Sequence, residues 1–357
     1  MGRVGSILLL VVLLVSGCSF FEKDAAPSQE RESVVTQPEV EVAAENLSIP
    51  WSIDRAAQTF YISERTGSIV KITNGKMERQ RVHLEKPLAQ AAEAGLLGFV
   101  LDPGFPKTQK AYAYYTYGDD EQGQFNRVVV LQTNGSEWTE TAILLDGIPS
   151  AAYHHGGRLK IGPDGKLYIT TGDATEPDLA QDVKSLNGKI LRMNLDGTIP
   201  SDNPFSGSYV YSYGHRNPQG LVWMGQTLYA SEHGQSAHDE MNLIKPGANY
   251  GWPLIQGTAK KTGMVTPLFQ SGEDTWAPSG MAAYNGKLYV AALRGNAVLR
   301  FDLAKKQMKP VITGLGRIRD VFVDGEDVYF VSNNTDGRGD PDKADDKLYR
   351  VLVKNLK

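Results

Sequence analysis

The chain has 357 residues and one cysteine, Cys18, so no disulfide can form within it and the thiol is either free or consumed by an anchor. Basic runs are missing and the net charge is only −4, which excludes the electrostatic footprint of a nucleic-acid binder. Long helical periodicity is missing throughout, so a bundle of amphipathic helices is excluded. Apolar runs are also scarce. The one near the N-terminus, Ile7 to Val15, is too short to span a bilayer. It follows Arg3 and ends in small residues before Cys18, the layout of an export signal over residues 1–17.

What the chain has in quantity is glycine, 37 residues, and short strand-like runs. The tetrapeptide Val15-Ser16-Gly17-Cys18 resembles the lipobox of bacterial lipoproteins, in which the cysteine is lipidated and becomes the new N-terminus. Residues 18–45 then read as a lipidated Cys18 followed by a tether. The stretch is rich in Glu, Ser, Gln, Pro and Ala, a composition unable to bury enough apolar surface to fold alone. An extracytoplasmic protein held at the membrane is the expectation. No second linker interrupts residues 46–357, which read as one large domain.

That domain carries a recurrent strand with tyrosine near its start, at Tyr61, Tyr112, Tyr168, Tyr229, Tyr289 and Tyr329. Spacings of 51, 56, 61, 60 and 40 residues suit a four-stranded unit with variable loops. Six such units predict an all-β fold, a six-bladed β-propeller of four-stranded antiparallel sheets. A sandwich or two β-domains is the competing architecture. In a propeller, loops from different blades converge around the axis, where a ligand would sit.

The segment Tyr153 to Asp173 reads as a β-hairpin turning at Gly162-Pro163-Asp164-Gly165, with proline suited to the second turn position. Pairing Gly162 with Gly165 sets Leu159 opposite Tyr168 and His154 opposite Asp173, close enough for the carboxylate to orient the imidazole as a general base. A glycine bulge in the turn would shift the register by one and leave that contact diagonal. A surface histidine is the alternative.

Other segments carry chemistry. Arg216 and Asn217 sit in a Gly- and Pro-bounded turn, and Arg294, Arg317 and Arg319 lie near the C-terminus. Guanidiniums clamp carboxylates through paired hydrogen bonds, so a strongly anionic ligand is one reading of this set, and scattered exposed arginines are the alternative for any one of them. The segment SEHGQSAHDE, residues 231–240, and the following NYGWP turn offer carboxylate and carbonyl oxygens to a hard cation. His233 and His238 also admit a zinc reading, though without the spacing of a zinc motif.

The segments EAGLLGFVLDPGF, HHGGRLKIGPDGKLYITTGD, NGKILRMNLDGTIPSDNPF, GHRNPQGL, EHGQSAHDE, NYGWP, APSGM and RIRDV, in order between Pro50 and Val353, resemble those of the soluble quinoprotein glucose dehydrogenases. The resemblance is nearer to their bacterial aldose sugar dehydrogenase branch. It implies a six-bladed propeller holding pyrroloquinoline quinone (PQQ) and Ca²⁺, in which an aldose C1 hydroxyl loses its proton to His154, oriented by Asp173, and hydride passes to PQQ. The product would be a lactone, and an external acceptor, a quinone or cytochrome, would take the electrons. By the same resemblance Glu93, Arg216, Asn217, Arg294, Arg317 and Arg319 would contact PQQ. Carbonyls of Gly234 and Gln235 would hold the calcium of the site, and Glu240 and Tyr250 a second one. Glu93 stands where the glucose enzyme has glutamine, Gln235 where the family has proline and Arg294 where it has lysine. The charge of Glu93 would suit an anionic cofactor only if protonated or turned away. Two other classes stay open: a calcium-dependent propeller lactonase, and a non-catalytic propeller that binds partners at the cell surface.

Overall fold

The computed structural model describes residues 38–119 and 123–356. The export signal, Cys18 and the tether as far as residue 37 lie outside the described residues. Within them, strands follow one another as antiparallel meanders. One sheet runs Leu159–Ile161, Leu167–Thr171, Lys189–Met193, Val210–Tyr213, and the next Pro218–Met224, Thr227–Glu232, Glu240–Ile244, Phe269–Gln270. A third runs Pro278–Tyr284, Lys287–Ala292, Ala297–Asp302, Gln307–Thr313. The fourth comprises Ile318–Asp324, Asp327–Ser332, Leu348–Leu352 and, at its edge, Glu41–Ala44. An eight-stranded sheet holds the first eight strands after Glu41–Ala44, from Pro50–Ala56 to Trp138–Ser150, with a short parallel pairing of Val82 to Trp138 and His83 to Thr139 joining its two halves.

Every one of the six repeated tyrosines lies on a second strand of such a four-strand run. These inner strands are buried on both faces, as the pattern of Leu167–Thr171 and Asp327–Ser332 shows. Residues of both parities there must be apolar or aromatic, and the tyrosine supplies area on a pleated surface. Outer strands such as Gln307–Thr313 are instead largely open to solvent, with only Val311 and Ile312 buried, so their sequences carry less signal.

Apolar clusters form between successive sheets. Tyr168 and Ile190 pack with Leu221 and Leu228, Tyr229 and Met241 with Met281 and Leu288, and Ala282 and Val298 with Ile318 and Phe330. Ile53 and Ile62 pack with Tyr329 and Leu348, so the first strands of the chain bury the same surface as the last.

Two expectations are corrected. Residues Glu41–Ala44 are not tether: they pair with Leu348–Leu352, because an edge strand recruits its partner through main-chain bonds and needs little apolar content. The hairpin register is shifted by one, with Leu159 opposite Ile169 and Ile161 opposite Leu167. Gly165 takes a left-handed φ of 71°, and Gly162 N–H donates to the Lys166 carbonyl at 2.9 Å. The turn thus absorbs one extra residue as a glycine bulge, which matches the twist of the strands. The ladder stops at Leu159, so His154 is a loop residue and not a cross-strand partner of Asp173.

Candidate active site

His154 nevertheless meets Asp173. Its backbone is left-handed, φ 64°, and Nδ1 lies 2.7 Å from Asp173 Oδ1. Gly172 makes the crossing possible, since a Cβ there would fall 1.8 Å from the His154 carbonyl oxygen. The other ring nitrogen, Nε2, lies 2.9 Å from an Nη of Arg216. A guanidinium only donates, so Nε2 presents its lone pair and Nδ1 carries the hydrogen given to Asp173. The neighbours therefore fix a neutral imidazole in the tautomer a base requires.

Asp173 is fully buried and its oxygens are occupied. Oδ1 also accepts from the Thr175 N–H at 2.9 Å, and Oδ2 from the Trp252 indole N–H at 2.8 Å. Arg216 sits over the Trp252 ring at 5.5 Å and donates to the His233 carbonyl at 3.3 Å. Burial lowers the Arg216 pKa, opposed by Asp173, Asp239 and Glu232. Asn217 is buried beneath the loop, where its Oδ1 accepts from the Gly156 N–H at 3.0 Å.

A cavity of about 410 Å³ opens beside this group, within the size range of small-molecule sites. Its walls include Trp51, Gly156, Gln219, His155, His233 and Glu93, with five arginines: Arg65, Arg294, Arg317, Arg319 and Arg338. Arg317 pairs with Asp336 at 2.9 Å. Arg319 donates to Asn333 at 3.0 Å and to Gln219 at 2.9 Å; burial, aided by Arg65 and Arg317, pulls it down to about 9. His155 and His233 are held neutral, both pulled to about 4 by burial. Their Nε2 atoms, and Nε of Arg317, are buried without a partner.

Glu93 is the lone carboxylate in that lining. Burial would raise its pKa, but the Arg338 guanidinium at 2.8 Å brings it to about 2. It is therefore neither protonated nor turned away, and its charge is answered within the cavity wall. Five guanidiniums against the carboxylates of Glu93 and Asp336 leave three positive charges unanswered. A tricarboxylate fits that balance, and the orphaned polar nitrogens would find acceptors in it.

Of the residues expected to bind metal, Gly234, Glu240 and Tyr250, but not Gln235, border a smaller space of about 20 Å³, together with Arg216, Glu232 and His233. Glu232 and Glu240 both accept from Asn242 Nδ2, at 2.9 and 3.0 Å. Burial and the neighbouring Glu232 push Glu240 up to about 8, so the pair is short of positive charge. A hard cation held by carboxylate and carbonyl oxygens fits. The Gly234 N–H donates to Asp239 Oδ1 at 2.8 Å, which fixes the loop that carries the Gly234 and Gln235 carbonyls. The zinc reading gains no support: His233 and His238 both border this space, but no group of three or more His, Cys, Asp or Glu is placed for a metal among the described residues.

The structure thus brings His154, Asp173 and Arg216 into direct contact, places Glu93, Arg294, Arg317 and Arg319 in one cavity wall, and sets Gly234, Glu240 and Tyr250 around a second space. Sequence reasoning passed over Arg65, Arg338 and His155. Arg338 had a usable signal, since it stands between glycines in the loop TDGRGDP, the context that drew attention to Arg294 and Arg317.

Four-strand antiparallel sheets that present an oriented imidazole beside an arginine-lined cavity define an all-β scaffold built for chemistry next to an anionic ligand. The Glucose / Sorbosone dehydrogenase family profile matches residues 47–350, and the chain belongs to that family. It is 33% identical over 292 residues to quinoprotein glucose dehydrogenase B of Acinetobacter calcoaceticus, a match covering 72% of this chain and 61% of that protein. It is 30% identical over 326 residues to the aldose sugar dehydrogenase of Escherichia coli, covering 79% of this chain and 86% of that one. Among solved structures, the PQQ-bound aldose sugar dehydrogenase of Streptomyces coelicolor superposes with a TM-score of 0.82 at 36% identity, covering 88% of this chain and 98% of the other. The four-strand sheets match those of this propeller-fold dehydrogenase.

Proposed function

We propose that the protein is a six-bladed β-propeller that oxidises aldose sugars at C1 to lactones with PQQ and Ca²⁺, passing electrons to an external quinone or cytochrome. Counting the two antiparallel halves of the eight-stranded sheet separately gives six four-strand runs, and the packing of Ile53 and Ile62 against Tyr329 and Leu348 supports closure of the ring. The observation that carries the reading is the Asp173–His154–Arg216 array beside a cavity with three unanswered positive charges.

PQQ would be held by Arg294, Arg317 and Arg319, with Arg216 and Asn217 at its edge. Calcium would be held by the carbonyls of Gly234 and Gln235, and a second calcium by Glu240 and Tyr250. Bound there, the cofactor supplies a two-electron acceptor and calcium a positive charge beside it. The protein's own residues do the rest. His154 Nε2 takes the proton of the sugar hydroxyl, and Asp173 stabilises the imidazolium that forms. Arg216 must first yield Nε2 to the substrate hydroxyl, since its guanidinium occupies that lone pair. The arginine-lined wall sets the cofactor's orientation, and the buried pair of neutral histidines keeps further positive charge from the base.

His154→Ala is expected to bind PQQ as the parent does while kcat falls about 10²- to 10⁴-fold; turnover within a few-fold of the parent would remove His154 from the role of base. We further propose that Cys18 carries a lipid and that the enzyme works outside the cytoplasm at a membrane surface, the sequence Val15-Ser16-Gly17-Cys18 being the support. Labelling with a fatty-acid analogue should mark the parent and not Cys18→Ala.

A further inference from the structure

Glu93 sits where three loops meet, and both its carboxylate and its main-chain N–H are engaged. Its carboxylate accepts from the His154 main-chain N–H at 3.3 Å through Oε2 and from Arg338 at 2.8 Å through Oε1. Its own N–H donates to the Ala152 carbonyl at 3.3 Å. The flanking carbonyls, of Ala92 and Ala94, are pinned by Arg65 at 2.8 and 3.1 Å. On the far side, the Arg338 N–H donates to Asp336 at 2.9 Å, and Asp336 pairs with Arg317 at 2.9 Å. The Arg338 guanidinium also lies 5.9 Å from the ring of Tyr153, the neighbour of His154.

His154 needs such support. A non-glycine residue at φ 64° is strained, and strained backbone persists only where its surroundings over-determine it. Asp173 fixes the ring, but nothing in that contact fixes the main chain. We infer that Glu93 is a positioning residue for the base: with Arg338 it forms a clasp that holds the His154 main chain in its left-handed conformation, so that Nε2 faces the cavity, and it does not serve as a cofactor ligand. The inference rests on the reading of His154 as the base. It also accounts for a carboxylate at a position where the family resemblance places an amide. An amide there could accept from the His154 N–H but could not hold Arg338 as an ion pair, and both contacts are needed to join the three loops. Both residues are partly exposed, with side chains 23% and 43% accessible, so their replacement spares the fold.

The test uses Glu93→Gln, Arg338→Met and the double variant, with Arg338→Lys as the conservative control. PQQ affinity is measured by fluorescence quenching and turnover with a saturating aldose. In cofactor-free protein, ¹⁵N-histidine spectra report the tautomer of His154; the chain has six histidines, and His154→Ala assigns the signal. The clasp predicts that either single variant lowers kcat about 10- to 100-fold, the cost of misplacing a reacting group by an ångström or less. In the double variant, which leaves the cavity's charge balance as in the parent, PQQ affinity should stay unchanged within a factor of about three, since no cofactor contact is lost. The His154 Nε2 and Nδ1 signals should move toward tautomer averaging, the double variant should be no worse than the singles, and Arg338→Lys should recover part of the loss. Weakened PQQ binding in Glu93→Gln with unmoved His154 signals would make Glu93 a cofactor ligand and overturn the inference. So would an Arg338→Met enzyme with parental kcat, or a loss of kcat with unmoved signals. Failure of the parent itself to bind PQQ would instead sink the proposed function, while the cofactor-free spectra would still read the clasp.

Discussion

Asp173→Asn separates the two duties of the buried carboxylate. Oδ1 accepts from His154 Nδ1 at 2.7 Å and Thr175 N–H at 2.9 Å, and Oδ2 from the Trp252 indole at 2.8 Å. An asparagine has one acceptor oxygen. Placed at Oδ1, it keeps two of the three bonds and preserves the His154 tautomer, but its NH₂ then faces the Trp252 N–H, donor against donor. Placed at Oδ2, it loses both bonds at Oδ1 and drives His154 into the other tautomer, whose Nε2–H would face the Arg216 guanidinium. The first arrangement wins. Stability should fall by about 1–3 kcal/mol, the cost of a buried donor left unsatisfied. Activity should fall because the imidazolium loses its carboxylate. At about 4 Å between charge centres and an effective dielectric near 20, that attraction is worth about 4 kcal/mol, about a thousandfold in kcat. Urea denaturation and steady-state kinetics of Asp173→Asn measure the two losses. Adding Trp252→Phe tests the assignment: combined with Asp173→Asn it removes the offending donor, so it should destabilise less than in the parent by about 1–3 kcal/mol and leave the kinetic defect in place. A kcat within tenfold of the parent would refute the electrostatic reasoning, and additive stabilities would refute the geometry.

Two further expectations concern pH. Glu240 is pushed up to about 8 from an ordinary 4.5 by burial and Glu232, so between these values the folded metal-free protein holds a proton the unfolded chain has released, and stability falls as pH rises across the window. Calcium should therefore raise Tm more at pH 8 than at pH 5, and Glu240→Gln should flatten both the pH dependence and the calcium response; an unchanged calcium response in Glu240→Gln would place the ion elsewhere. His155 runs the other way. Its pKa drops from 6.5 to about 4 on burial, so the unfolded chain takes up the proton first and stability is lost as pH falls from 6.5 toward 4, by about 3 kcal/mol. His155→Gln should lose that part of the acid slope in urea midpoints measured at pH 6.5 and 4.5, whereas a parental slope would mean that His155 titrates normally.

The spacing of the six tyrosines was legible because inner strands are buried on both faces and must show it in their sequence. Glu41–Ala44 was not, since an edge strand held by main-chain bonds reads like the tether before it. The His154–Asp173 contact was anticipated from a register the structure does not adopt. Gly165 absorbs a residue in the turn, and a left-handed loop at His154 restores the contact by a route that no pairing rule encodes. Arg65 and Arg338 escaped notice because a guanidinium acquires meaning from what it faces, and only the fold places the turn of residues 65–67 and the loops of residues 84–95 and 333–347 at one cavity. The role of Glu93 depended on Arg338, 245 positions away in sequence, so its charge could be seen in the sequence but not its compensation.

The most direct test of the account is titration of the metal-stripped protein with PQQ, with and without Ca²⁺, followed by addition of an aldose panel while the absorbance of reduced quinone is recorded. Calcium-dependent binding of PQQ and sugar-driven reduction that His154→Ala abolishes is the predicted result; a protein that binds no PQQ at micromolar concentration with calcium present would contradict it.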